Sequence, residues 1–294
     1  MRIRLSANRL RRLFEVVCFV ALWMAVGWSI RPLVPAGRPF AEDPFAHLYL
    51  LVGIPLTVVF QVVLRRQPLR ALWVRDAPPI RLGKAGICLA LGLMLLPASS
   101  LVYGLSRHDM FLSMREALIL IGAVGAAYAL RNFRRPMVRL LVLCLVWVTG
   151  LDIVLNVGMH QVFPEVRPFS ELSWMGALVV IGMTVYYLPV CFVLEEVTFR
   201  GALDAHLHKP GEAHGWLTAI IISAIWGLWH LPMFYPGSTA LPVLAALFLV
   251  IHITVGVPLS LYWRRTGNLA VPALAHGLID AVRDALILTE VPAP

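Results

Sequence analysis

Long apolar runs separated by short polar connections account for most of the chain. The first run follows residues 1–12 and ends near Ile30, and further runs lie near 46–64, 85–105, 117–130, 140–159, 173–203, 216–234, 243–263 and 269–288. Each is compatible with the roughly 20 residues that a membrane-spanning helix needs, although 117–130 is the shortest and weakest. The apolar residues are continuous, whereas the strands of a membrane barrel alternate apolar and polar positions. The pattern therefore predicts an all-α, polytopic integral membrane helical bundle of about 8–9 transmembrane helices.

The composition supports a membrane protein. Hydrophobic residues make up 60% of the chain and charged residues 14%, whereas a soluble domain carries roughly a quarter charged residues. The net charge of +9 does not indicate nucleic-acid binding, because the basic residues lie in short connections between the apolar runs. The expected partner is therefore the lipid bilayer, and no nucleic acid is expected.

The basic residues also predict an orientation. They are concentrated in residues 1–12 and in every second connection, notably 65–84 and 131–139. Because cytoplasmic segments carry an excess of Lys and Arg, we expect a multi-pass protein with a cytoplasmic N-terminus, in a bacterial inner membrane or plasma membrane. The first run is long enough to span, which favours an uncleaved helix over a signal peptide.

The cysteines give no sign of a disulfide framework. All four (Cys18, Cys88, Cys144 and Cys191) lie within apolar segments, without a C-x-x-C or other metal-ligand spacing. This placement predicts buried, unreactive thiols.

Two adjacent carboxylates interrupt the sixth apolar run, and the helix is expected to continue past them. Glu196 and Arg200 are four residues apart with the acid N-terminal, which predicts an ion pair on one helix face. Glu195 points about 100° away from that face and is left free. Since an unpaired acid in a membrane helix costs several kcal/mol, Glu195 indicates a functional site.

Two further polar groups lie in the last helices. His230 ends an apolar run, and His276 and Asp280 are four apart on one face of the final helix. At 1.5 Å per residue from the adjoining connections, Glu195, His230 and Asp280 all lie at a depth of about 20 Å, so we expect them to meet.

This arrangement requires the sixth helix to reach about residue 207. From residue 173 such a helix is about 52 Å long, which is too long for one straight span. We expect either a kink at Pro189 or a later start. Asp152 with Asn156, and His252, are rival polar sites, although such residues are more typical of helix packing.

These residue types together favour hydrolysis. A carboxylate and a histidine can activate a water molecule, directly or through a metal. A second histidine with a carboxyl or amide group can stabilise a tetrahedral oxyanion. The sequence contains no G-x-S-x-G and no H-E-x-x-H motif, so neither a serine hydrolase elbow nor a zinc helix of that type is indicated.

The three groups resemble the motifs of the CPBP family of intramembrane proteases, the CAAX-protease and bacteriocin-processing (Abi) group. Its motifs E-E-x-x-x-R, F-x-x-x-H and H-x-x-x-N/D correspond in order and spacing to the stretches at 195–200, 226–230 and 276–280. Trp226 takes the place of the Phe, and Asp280 stands where the family has Asn or Asp. The resemblance implies a CPBP-like catalytic helical core at 166–294, after N-terminal transmembrane helices of unassigned role at 1–165.

The resemblance also implies roles for these residues. Glu195 and His230 would activate the water, Glu196 and Arg200 would form a structural ion pair, and His276 with Asp280 would stabilise the oxyanion. Trp226 and Trp229 are expected to line the substrate pocket. If the family's chemistry uses a metal, Zn²⁺ is the candidate, with Glu195, His230, His276 and Asp280 as its ligands.

The expected function is therefore an intramembrane endopeptidase acting on a membrane-embedded or lipidated peptide substrate. Two alternatives remain open: a non-catalytic membrane scaffold or immunity-type protein on the same fold, and a proton-coupled carrier that uses the same buried groups. Carriers often contain internal repeats, which this sequence lacks.

Overall fold

The computed structural model describes residues 7–33, 44–76, 79–162, 168, 172, 174–209, 215–233 and 241–288. Within these residues the chain forms nine helices: α1 (Ala7–Ile30), α2 (Pro44–Val59), α3 (Gly83–Ser106), α4 (Met110–Arg131), α5 (Arg135–Val162), α6 (Trp174–Cys191), α7 (Gly215–Trp229), α8 (Leu241–Thr266) and α9 (Ala270–Leu288). Short 3₁₀ turns lie at Arg31–Leu33, Leu69–Leu72 and Leu231–Met233.

Eight helices of the described part are long and apolar enough to cross a membrane. The predicted all-α, polytopic membrane bundle is thereby confirmed. The short run 117–130 is part of a longer helix, α4, because the residues before it, from Met110, are also helical. Asp109 caps the start of this helix, since its carboxylate accepts the Leu112 N–H at 2.9 Å. The remaining helix, α9, differs from these eight in carrying three charged residues close together, Asp280, Arg283 and Asp284.

The helix that bears the two carboxylates is continuous and changes its winding. It extends 34 residues, Trp174–Leu207, so the later start is wrong. Pro189 lies inside α6, and a π-helical segment follows from Phe192 to Asp204. We call this segment π6; its i→i+5 hydrogen bonds widen the helix, a feature that is frequent at functional sites. Both motif carboxylates and Arg200 lie on π6.

The N-terminal helices pack directly against π6. The Thr57 and Thr198 hydroxyls are 2.7 Å apart, and Arg65 Nη1 donates to the Gly201 carbonyl at 2.6 Å. A Cβ at Gly201 would lie 2.5 Å from the Leu72 carbonyl oxygen, so only glycine permits this approach. The first helices therefore support the segment that carries the carboxylates. The predicted boundary at 165/166 lies outside the described residues.

The prediction of four buried cysteines is wrong for two of them. Cys144 and Cys191 are buried, but Cys18 and Cys88 are exposed. An apolar sequence does not imply burial in a membrane protein, because the outer faces of its helices contact lipid tails.

Candidate active site

The two adjacent carboxylates of π6 have different partners. Glu196 Oε1 lies 3.1 Å from Arg200 Nη1, and both side chains are 0% exposed. Glu195 Oε2 accepts the indole N–H of Trp226 at 2.7 Å and faces the imidazole of His230. The structure thus contains the ion pair expected from the i,i+4 spacing and a second acid that is paired with no cation in the described part of the chain.

Glu195 and His230 present two hydrogen-bond acceptors to each other. His230 Nδ1 lies 2.9 Å from the Trp226 carbonyl oxygen. A carbonyl only accepts, so Nδ1 carries the proton and the Nε2 of a neutral imidazole is an acceptor. Nε2 is 3.8 Å from Glu195 Oε2, and the two side chains are 14% and 17% exposed. This distance exceeds a direct hydrogen bond and suits a bridging water that donates one hydrogen to each atom.

His276 lies between two carboxylates. Its Nδ1 is 2.9 Å from Glu196 Oε1, and its Nε2 is 3.6 Å from Asp280 Oδ2. The other oxygen of Asp280 pairs with Arg283 Nη1 at 2.8 Å. Asp280 is therefore held as a charged acceptor and cannot donate. The position of His276 between two carboxylates favours its imidazolium form, whose Nδ1–H binds Glu196 and whose Nε2–H is the hydrogen that can be donated to an oxyanion.

Trp226 is the common neighbour of these groups. The Arg200 guanidinium carbon lies 4.1 Å from the centroid of the Trp226 ring system, a cation–π contact. The His276 ring packs against the indole with centroids 5.1 Å apart. The indole therefore contacts both the Glu195–His230 pair and the Glu196–Arg200 pair.

Trp229, which is expected to line the substrate pocket, lies in an aromatic cluster and also contacts the ring of His230, with centroids 4.8 Å apart. This side chain is fully buried and packs against Trp23, Tyr49 and Phe199, with ring centroids 4.7, 5.3 and 5.3 Å away. Trp229 lies on the side of α7 that faces the first helices, so it anchors α7 to α1 and α2.

His252 of α8 belongs to the site, although its sequence context is more typical of helix packing. Its ring centroid lies 4.3 Å from that of His230 and 4.4 Å from that of Trp226. Its Nδ1 is 2.8 Å from the Phe248 carbonyl oxygen, so its Nε2, like that of His230, is an acceptor. An isolated histidine in an apolar helix was the only sequence signal for it. Asp152, the rival acid on α5, is within electrostatic reach of Asp280 and Arg283.

The side chains that could hold a metal differ from the expected set. In the described residues, one group of three potential ligands has its donor atoms within 4.8 Å of one another, and it consists of Cys191, His276 and Asp280. Glu195 and His230 do not belong to it. The Cys, His and Asp donors are those that bind Zn²⁺ in proteins, so the residues fit this ion.

Comparison with known protein families agrees with the motifs. Residues 176–282 match the family described as Type II CAAX prenyl endopeptidase Rce1-like. The match contains all three motifs and confirms the resemblance to the CPBP/CAAX protease family. Neither the curated proteins nor the solved structures gave a match.

Proposed function

We propose that this chain, which matches the Rce1-like type II CAAX prenyl endopeptidase family over residues 176–282, is an intramembrane endopeptidase. Its substrate would be a membrane-embedded or lipid-modified protein or peptide. The observation that carries the proposal is the pair of opposed acceptors, Glu195 Oε2 and His230 Nε2, 3.8 Å apart. A water molecule that donates a hydrogen to each keeps its lone pairs free for attack on a carbonyl carbon.

The hydrolysis can be followed through this pair. The water oxygen bonds to the carbonyl carbon while the Glu195–His230 pair accepts one proton, and the π electrons of the C=O bond move to oxygen. The tetrahedral intermediate then expels the amine, whose nitrogen receives that proton. The second hydrogen of the water stays on the new carboxyl group, so atoms and charges balance.

The negative charge that develops on oxygen requires a stabilising group. His276, fixed by Glu196 at 2.9 Å, is the donor that we assign to this role, and the rigid, buried Glu196–Arg200 pair holds it in position. Preorganised donors of this kind contribute several kcal/mol to transition-state stabilisation. If a zinc ion were bound by Cys191, His276 and Asp280, Nε2 of His276 would be a ligand and could not donate, and the ion's positive charge would take over the stabilising role.

The position of the site supports a substrate that lies in or at the membrane. Glu195 lies within the sixth of eight candidate spans and His230 within the seventh. A peptide must therefore enter between apolar helices, and a lipid-modified or apolar segment can do so at low cost. The prenylated C-terminus named by the family description is the first substrate class to test, and a cytoplasmic N-terminus remains part of the proposal.

The test is cleavage by protein reconstituted in liposomes, with products identified by mass spectrometry from a library of prenylated and unmodified peptides. Glu195→Gln and His230→Asn should each abolish cleavage, because each removes one of the two water acceptors. The matched control is Glu15→Gln. Glu15 also forms a Glu–His pair in the described structure, 2.6 Å from His206 and 23% exposed, but it lies on α1.

The outcome separates the candidate functions. Cleavage by the wild type and by Glu15→Gln, with none by the two site variants, supports the peptidase. Cleavage by Glu195→Gln at the wild-type rate refutes the assigned mechanism. A folded wild type that cleaves no library member favours the non-catalytic scaffold.

A further inference from the structure

We infer that Cys191, His276 and Asp280 form a binding site for one divalent, zinc-like cation, in which Cys191 is a ligand that lies outside the three motifs. The site is assembled from two helices. Cys191 is the last residue of α6 before the winding changes, and the other two share a face of α9. The three donor atoms lie within 4.8 Å of one another, a separation that small side-chain movements bring to metal-ligand distance.

Each of the two α9 donors is already oriented by a second residue. Glu196 accepts from His276 Nδ1 at 2.9 Å, which directs Nε2 towards Asp280. Arg283 binds Oδ1 of Asp280 at 2.8 Å, which leaves Oδ2 to face the other two ligands. Metal-binding histidines almost always donate their other N–H to a carboxylate or carbonyl, and His276 has this arrangement before any metal binds.

The Cys191 sulfur points into the same gap. Its Sγ lies 3.4 Å from Asp280 Oδ2, so Oδ2 is the atom that both other ligands approach. Cys191 is fully buried and His276 nearly so. Three protein ligands leave the fourth position of a tetrahedral zinc ion open, which is the pattern of catalytic rather than structural zinc sites.

The charge of the surroundings favours a cation. The network joined by direct contacts contains more carboxylates than guanidiniums: Glu196, Asp280 and Asp284 against Arg200 and Arg283. Glu195 adds a further acid nearby. Only a protonated His276 balances the acids of this network, and a divalent ion bound at its Nε2 would take the place of that proton. Binding would displace the thiol proton of Cys191, because the thiolate is the form that binds metal.

None of the three ligands belongs to the water-activating Glu195–His230 pair. The ion would be held by His276, the residue that we assign to stabilising the carbonyl oxygen of the substrate. That catalytic role rests on the proposed peptidase function, but metal binding does not. The experiment therefore measures binding and leaves cleavage aside.

The test uses Co²⁺ as a spectroscopic substitute for Zn²⁺ in the purified, metal-stripped full chain. A cobalt–thiolate bond gives a near-ultraviolet charge-transfer band, which reports whether a cysteine is a ligand. The number of bound ions per chain is measured separately, by mass spectrometry. We expect about one bound ion per chain and a clear band. Cys191→Ser should lose the band, whereas Cys144→Ser, the matched control at the other buried cysteine, should keep it. The exposed Cys18 and Cys88 are alkylated beforehand so that they do not contribute.

A second readout covers the case in which Cys191→Ser does not fold. In the wild type, bound Zn²⁺ should slow alkylation of Cys191 in mild detergent by at least about tenfold, and Cys144 should be unaffected. The inference is overturned if the folded wild type shows no cobalt–thiolate band and no zinc protection. It is also overturned if Cys191→Ser retains the full band. Cys191 would then be only a hydrogen-bond donor to Asp280, and the proposed peptidase function would be untouched.

Discussion

The indole N–H of Trp226 lies 2.7 Å from Oε2 of Glu195. The related motif has Phe at this position, and a phenyl ring has no hydrogen to donate. This chain therefore holds its free carboxylate with a bond that the motif does not provide. The bond fixes one oxygen of Glu195 in the position that faces His230.

Trp226→Phe tests the value of this bond. The variant should fold, because a phenyl ring retains much of the aromatic packing, but kcat/KM should fall about tenfold. A hydrogen bond to a charged group contributes roughly 1.5–3 kcal/mol, and about 1.4 kcal/mol corresponds to a factor of ten. Kinetics on a cleaved peptide would measure the change. Unchanged kcat/KM would show that Trp226 serves only as a wall of the site.

The buried Glu196–Arg200 pair gives a prediction about stability. Arg200→Gln should lower the free energy of unfolding by about 3–5 kcal/mol, because it leaves Glu196 charged and without its partner in a fully buried position. The double variant Glu196→Gln/Arg200→Gln should be less destabilised than the single one, since no unpaired charge remains. Thermal unfolding in detergent measures both. Equal losses in the two variants would mean that packing of Arg200 on Trp226 dominates.

His252 gives a third prediction. Its ring contacts that of His230, and in both histidines Nδ1 is bound to a backbone carbonyl, which leaves Nε2 as an acceptor. His252→Ala should lower kcat about tenfold with little change in KM, because the ring fixes His230 by contact and not the substrate. His47→Ala is the control: His47 is also buried, but it lies 3.1 Å from Arg115 in another polar cluster. If both variants lose activity in proportion to lost stability, His252 is a packing residue.

Periodicity allowed part of the site to be predicted from the sequence. The i,i+4 rule placed Glu196 on Arg200, and the count of residues from the connections placed Glu195 level with His230. Both relations depend only on the rise and period of a helix. The Glu196–Arg200 contact holds although both residues lie within π6, because residues four apart are still about one turn apart in the wider helix.

Cys191 and Trp229 show what the sequence could not provide. An isolated cysteine in an apolar run contains no signal for a partner on another helix, so the sequence predicts only an inert thiol at Cys191. Trp229 is three residues from Trp226 and was assigned to the same pocket. In the structure its ring packs against those of Trp23 and Tyr49 as well as that of His230. Which neighbour a helix face meets depends on tertiary packing, and helical spacing alone does not encode it.

The contact of Gly201 with the Leu72 carbonyl gives the last prediction. Gly201→Ala adds a methyl group that would lie 2.5 Å from a backbone oxygen, and backbone cannot move aside as a flexible side chain can. The segment Leu69–Leu72 must shift away from π6, which should cost about 1–3 kcal/mol of stability. The hydrogen bond from Arg65 to the Gly201 carbonyl should weaken with it, so activity should fall although no site residue has changed. Gly150→Ala is the control, because a Cβ there meets nothing within 4 Å. Thermal unfolding and peptide cleavage of the two variants in parallel decide the question: equal behaviour would show that the N-terminal helices do not support the active-site segment.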